Sequence, residues 1–140
     1  MNDARALNGL RVVDFTWVLA GPYATRILAD FGAEVIKVQP LETMGNSADS
    51  NLDGYFNTWN RNKLGISLNL GRPQGVEIAK KLIRVSDILI ENFSPRVMRN
   101  WGLDYDNLEK IKPDLIAVSL AGMGQTGPWS NYASFWPTIH

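Results

Sequence analysis

Two carboxylates close strand-like runs in this sequence: Asp14 in Arg11-Val12-Val13-Asp14-Phe15, and Glu91 in Asp87-Ile88-Leu89-Ile90-Glu91. They are the acids best placed for proton transfer or nucleophilic attack. Asp14 lies inside its strand and reads as a structural carboxylate bonded to a neighbouring loop, which leaves Glu91 as the better functional candidate. Asp49, Asp53, Asp104 and Asp106 fall in loops or caps, where solvated roles are expected. Asn92 and Phe93 follow Glu91 directly. An amide beside an aromatic ring can hold a purine by hydrogen bond and stacking, or it can fix a turn and fill the core. The residues Thr16 to Pro22 run into a helix N-terminus, where free N–H groups favour an anion, although a plain strand-to-helix turn fits them equally. Gly122-x-Gly124-x-x-Gly127 has dinucleotide-binding spacing, but Pro128-Trp129-Ser130-Asn131 follows instead of a long helix. It reads as a glycine loop able to move over a substrate. Arg61 and Lys63 form a basic patch suited to a phosphate or to plain solvation. Trp129, Tyr132, Phe135 and Trp136 either line a pocket or pack against a further segment, and the second use is favoured.

These residues need a scaffold, and the hydrophobic pattern supplies one. Short β-branched runs alternate with helical stretches, which predicts βαβ units and a parallel sheet. Strands are expected at Arg11–Phe15, Glu34–Val38, Gly65–Leu70, Asp87–Glu91 and Leu115–Leu120. The last two are nearly continuous in apolar residues, as strands covered on both faces are. Pro22, Pro73 and Pro95 are expected to open helices at their first positions. Asp104 is expected to cap a further helix running to Lys112, where Pro113 ends it. Residues 43–57 are polar and rich in Gly, Asn, Ser and Asp, which predicts a loop. In such a sheet ligands bind beyond the carboxyl ends of the strands, where the residues singled out above fall.

Composition narrows the chemistry further. The 140 residues carry 14 Lys+Arg against 14 Asp+Glu, with 45% hydrophobic and 20% charged residues, so a basic surface for nucleic acid is not expected. No apolar run is long enough for a membrane span, and Met1-Asn2-Asp3-Ala4-Arg5 does not open like a secretion signal. The expectation is a cytoplasmic α/β domain. There is no cysteine, and the single histidine is His140, so thiolate chemistry and a His-based triad or metal site are not expected.

Several blocks together make the reading specific. Leu7-Asn8-Gly9-Leu10-Arg11-Val12-Val13-Asp14-Phe15 is followed by Val18-Leu19-Ala20-Gly21-Pro22 and Leu28-x-Asp30-x-Gly32-Ala33-Glu34-Val35-Ile36-Lys37-Val38. Then come Asn60-Arg61-Asn62-Lys63, Glu91-Asn92-Phe93-Ser94-Pro95 and Gly122-x-Gly124-Gln125-Thr126-Gly127-Pro128. In order and spacing the chain resembles the class III CoA-transferases, the CaiB/BaiF family, over essentially its whole length. The resemblance implies a Rossmann-like, mostly parallel sheet with flanking helices. Residues 1–140 would be the N-terminal part of the large domain of an interlocked-dimer fold, without the small domain and the returning C-terminal segment. It implies transfer of coenzyme A between an acyl-CoA thioester and a carboxylic acid. In the family an aspartate attacks the thioester to form a mixed anhydride while CoA stays bound as thiolate, with glycine-loop N–H groups stabilising the oxyanions.

Carried over residue by residue, the family's CoA contacts fall on Val18, on Leu68, Asn69 and Leu70 in the third strand, and on Asn92 and Phe93. The resemblance implies acyl-CoA as substrate and no metal. Other positions depart from the pattern. Gln39-Pro40 stands where a basic residue often follows the second strand, Gly71 where another is expected (Arg72 is adjacent), and Asn100 where an arginine is common (Arg99 is adjacent). Aligned through Pro137, the nucleophilic aspartate is replaced by Trp136, and no Asp or Glu follows Asp114. No catalytic residue is therefore identified, and this stretch alone is expected to be inactive. Three readings remain: part of a CoA-transferase homodimer, a non-catalytic CoA-binding subunit paired with a homologous catalytic one, or an acyl-CoA racemase.

Overall fold

The computed structural model describes residues 5–40, 50–132 and 134. Five strands form one sheet: β1 (Arg11–Asp14), β2 (Glu34–Gln39), β3 (Leu64–Ser67), β4 (Ile88–Glu91) and β5 (Ile116–Ser119). Five helices alternate with them: α1 (Ala20–Asp30), α2 (Ser50–Asn60), α3 (Pro73–Arg84), α4 (Pro95–Asn100) and α5 (Tyr105–Ile111). The strand order is β3-β2-β1-β4-β5, and every neighbouring pair is parallel. Parallel neighbours require crossovers, and the chain supplies a helix for each.

Strand alternation divides the core into two layers. Val13, Phe15, Val38 and Leu89 point to the face covered by α3, α4 and α5, where Ala79, Ile83, Met98 and Leu108 meet them. Val12, Val35 and Ile90 point to the other face, against Ala29 and Leu28 of α1. The helix punctuation is largely as expected. Pro73 and Pro95 each occupy a first-turn position, and the Asp104 carboxylate accepts the Asn107 N–H at 3.3 Å to start α5. Pro22, however, is the third residue of α1, because the helix already begins at Ala20. A proline is tolerated there since first-turn N–H groups lack intrahelical acceptors anyway.

Two further expectations need correction. The predicted loop 43–57 is helical from Ser50 onward, while residues 43–49 lie outside the described residues. Gly54 and Asn57 disguise this helix in the sequence. Its aromatic residues hold it in place: Trp59 meets the rings of Tyr55 and Tyr23 edge-on, and the Arg26 guanidinium lies 4.9 Å from the Tyr23 ring and 5.2 Å from that of Trp59. The third strand ends at Ser67, short of the expected Leu70. Leu68 makes one more ladder bond, its N–H donating to Gln39 at 2.8 Å, and the chain then turns: the Asn69 side chain accepts the Gly71 N–H at 3.0 Å. This asparagine turn takes the place of strand pairing, so Asn69 and Leu70 lie in the loop beyond β3.

Candidate functional site

In this order β1 feeds α1 on one face and β4 feeds α4 on the other, so the loops leaving β1 and β4 diverge. A crevice at such a switch point is where open α/β sheets take ligands. The last main-chain bond across it is Phe15 N–H to the Ile90 carbonyl at 2.9 Å. Beyond that point a side chain continues the pairing. The Asn92 carboxamide oxygen accepts the Trp17 N–H at 2.7 Å, and its NH₂ donates to the Trp17 carbonyl at 2.8 Å. The Trp17 ring meets Phe93 edge-on at 5.3 Å, and Phe93 meets Trp101 edge-on at 5.5 Å. Next in the chain, Val18 has φ +66° and is 61% exposed. A β-branched residue rarely adopts this left-handed conformation. Trp17 and Leu19 are exposed beside it.

Beneath the loop, on the α1 face, lies a buried charge cluster. Asp14 receives the Thr16 N–H at 2.8 Å, the Thr16 hydroxyl at 2.5 Å, the Thr25 hydroxyl at 2.7 Å and the Lys63 ammonium at 3.0 Å. Lys37 approaches at 3.4 Å and also donates to the Thr16 carbonyl. Burial alone would raise the Asp14 pKa, but Lys37, Lys63 and the two hydroxyls outweigh it and hold the carboxyl below its ordinary value. Burial pushes Lys37 down to about 8 against the pull of Asp14, and lowers Lys63 as well. Two ammonium groups thus share one carboxylate. Gly21 is required here: a Cβ on it would lie 2.3 Å from the Thr16 Cβ.

On the opposite face, Glu91 is 4% exposed, and among the described residues no cation shifts its titration. Burial raises its pKa to about 7, although the Phe93 N–H, donating to it at 2.7 Å, opposes the shift. Gln125 of the glycine loop stands 3.5 Å away and donates to Ser119 at 2.6 Å. A cavity of about 310 Å³ opens beside Glu91, floored by Leu89, Met98 and Ala117 and edged by Arg99 and Thr126.

Of the six residues carried over for CoA, Val18, Asn92 and Phe93 meet at the crevice, whereas Leu68, Asn69 and Leu70 follow β3, three strand spacings from β4. At ~4.8 Å per spacing, that is roughly 14 Å from β4 and, for Val18 after β1, roughly 10 Å. The Leu68 side chain is buried in the core and offers a ligand only its backbone, while Asn69 is exposed. The Asn69 turn packs on α3 through Gly75, where a Cβ would fall 2.1 Å from the Asn69 carbonyl oxygen. Trp136, Phe135 and His140 lie outside the described residues, and Trp129 and Tyr132 are exposed. Sequence reasoning placed Trp17 in the loop after β1 without its tie to Asn92, and it missed Lys37. Alternation along β2 puts Lys37 on the inward face with Val35, which was the available signal for a buried ammonium. Among the described residues no group of three His, Asp or Glu side chains is spaced to hold a metal, and no helix is long and apolar enough to cross a membrane.

This arrangement has known counterparts. Residues 7–139 match the sequence model described as CoA-transferase family III. The chain is 42% identical to the mouse (Mus musculus) succinyl-CoA:glutarate CoA-transferase over 140 residues, which covers 96% of this chain and 32% of that enzyme. It is 42% identical to the formyl-CoA:oxalate CoA-transferase of Afipia carboxidovorans over 134 residues, 91% of this chain and 31% of that one. A CaiB/BaiF family protein from Brucella suis superposes with a TM-score of 0.86 at 35% identity, covering 96% of this chain and 38% of its own. The chain spans about a third of the length of these relatives. With the family match running through nearly every described element and the sheet order superposing on a solved member, this chain belongs to CoA-transferase family III.

Proposed function

We propose that this chain holds the CoA moiety of an acyl-CoA along the carboxyl ends of the sheet, within an enzyme that moves CoA from a thioester to a free carboxylic acid. The observation that carries the reading is the ledge formed by those strand ends. Measured across the sheet, the turn at Leu68, Asn69 and Leu70 lies roughly 10 Å from the β1 loop carrying Val18 and roughly 14 Å from the β4 loop carrying Asn92 and Phe93, a span that suits an elongated ligand. Exposed Arg72, beside that turn, and exposed Arg96 and Arg99 on α4 are cations open to the phosphates. Lys37 and Lys63 are not, since both are committed to Asp14 and its surrounding oxygens.

In this reading the acyl group passes through an anhydride on a carboxylate, and neither buried acid suits that role. Both oxygens of Asp14 are saturated by donors, and Glu91 is buried and largely protonated below pH 7. Asp104 and Asp106 also line the cavity beside Glu91, Asp104 capping α5, and the reading places the nucleophile outside the described residues or on a second subunit. Trp136, aligned with the family's aspartate, is the basis of the alternative reading, a non-catalytic CoA-binding subunit paired with a homologous catalytic one. Relatives named as the α and β subunits of a succinyl-CoA–L-malate CoA-transferase occur in Chloroflexus aurantiacus. The racemase reading has no such support. The proposal includes a cytoplasmic, interlocked dimer.

The test is exchange of labelled CoA between a thioester and free acids, using the protein purified from its native source with any partner retained. Exchange supports the reading. No exchange, together with no binding of CoA by calorimetry, overturns it.

A further inference from the structure

We propose that Asn92 is a positioning residue that holds the Val18 turn in its left-handed form, acting through the backbone of Trp17. The inference rests on the reading of this crevice as the CoA site, and it goes further by giving Asn92 a task other than touching the ligand. The carboxamide is a planar group with a donor and an acceptor side by side, and both face one peptide residue: 2.7 Å from the Trp17 N–H and 2.8 Å to the Trp17 carbonyl. Main-chain pairing between β1 and β4 has stopped two residues earlier, at Phe15 and Ile90, and the Thr16 N–H has turned to Asp14. Asn92 thus acts as a surrogate strand across the switch point. The loop is also held from the α1 side, where Lys37 donates to the Thr16 carbonyl. Val18 follows these two anchored residues with φ +66°, and its largely exposed side chain gains little packing that would favour that conformation. The favoured extended basin would swing the exposed Val18–Leu19 segment away from its present course.

No other side chain of this size replaces the contact. Aspartate keeps the acceptor but loses the donor to the Trp17 carbonyl, and alanine loses both. The experiment is a double-mutant cycle in the native protein, Asn92→Ala with Val18→Gly, read by CoA affinity in calorimetry and by crystal structures of the ligand-free variants. Asn92→Ala is expected to weaken CoA binding by about tenfold and to return Val18 to negative φ. Glycine takes positive φ without steric cost. In the Val18→Gly background the further loss on Asn92→Ala is therefore expected to shrink below about threefold. Equal losses in both backgrounds would mean that Asn92 works by direct contact, and would overturn the proposal. So would a ligand-free Asn92→Ala structure with Val18 still at positive φ. That second readout needs no ligand, so it stands even if the native protein binds no CoA and the functional reading fails. If Asn92→Ala does not fold, Asn92→Ser, which is too short to bridge both Trp17 groups, serves in its place with the same two outcomes.

Discussion

Asp14 and Glu91 end neighbouring strands of one sheet, yet they face opposite layers and titrate in opposite directions. Asp14 lies under α1 with two ammonium groups and two hydroxyls, and its carboxyl is held below the ordinary range. Glu91 lies above α4 with one backbone N–H and a glutamine, and burial lifts it to about 7. Depth alone does not distinguish the two, since both are almost inaccessible. The supply of partners does. A carboxylate surrounded by donors becomes a fixed tie between β1, β2 and α1, and one without a cation becomes a group that changes charge near neutrality.

The strongest way to break this contrast is Asp14→Asn. It leaves Lys37 and Lys63 buried without a counter-charge and should cost about 3–5 kcal/mol, measured by urea denaturation. Adding Lys37→Met should recover part of that loss; a double variant no better than Asp14→Asn alone would mean that charge balance does not hold this layer together. Next in size, Gly21→Ala forces a methyl against Thr16 and should cost about 1–3 kcal/mol on the Asp14 side of the sheet. Adding Thr16→Ala should relieve it only partly, because the Thr16 Cβ, the nearest atom, remains and Asp14 loses a hydroxyl donor.

The pH dependence should separate the two faces at smaller cost. Glu91 binds its proton more tightly folded (about 7) than at its ordinary 4.5, so its contribution is complete below pH 4.5 and is lost as pH rises to 7. Glu91→Gln, which still accepts the Phe93 N–H, should flatten stability over that window. Lys37 behaves in reverse. Its folded value of about 8 against 10.5 means that the unfolded chain holds the proton longer, so stability should rise with pH between those values. Lys37→Met should reduce the alkaline rise, leaving the part that Lys63, also lowered by burial, contributes. Urea midpoints at pH 5, 7, 8 and 10 check both slopes, and parallel curves for wild type and variants would dissolve the contrast.

Much of the scaffold was legible in the sequence because its signals are local. Alternating apolar runs announced the strands, and Pro73, Pro95 and Asp104 announced helix starts, since dihedral restriction and capping act within a turn. What escaped depends on partners distant in the chain. α2 is poor in helix-forming residues and stands through Tyr23 and Arg26, some thirty residues earlier. The strand before Asn69 ends where that side chain captures the Gly71 N–H, an interaction that alternation does not encode. At the site, the resemblance marked Asn92 and Phe93, while Trp17 became visible only when β1 and β4 were laid side by side.

That adjacency also sets a timetable. β1 and β2 pair across little more than twenty residues, so half of the central sheet has its partner early. Trp17 and Asn92 are 75 residues apart. At roughly 5–20 residues per second, a ribosome needs about 4–15 s to supply the second after the first. Throughout that interval the amide and carbonyl of Trp17 face water, and nothing from β4 disciplines the turn at Val18. The crevice therefore cannot be completed in the nascent chain until β4 has followed β1, and a ligand that reads its shape meets only molecules whose central pairing has already closed.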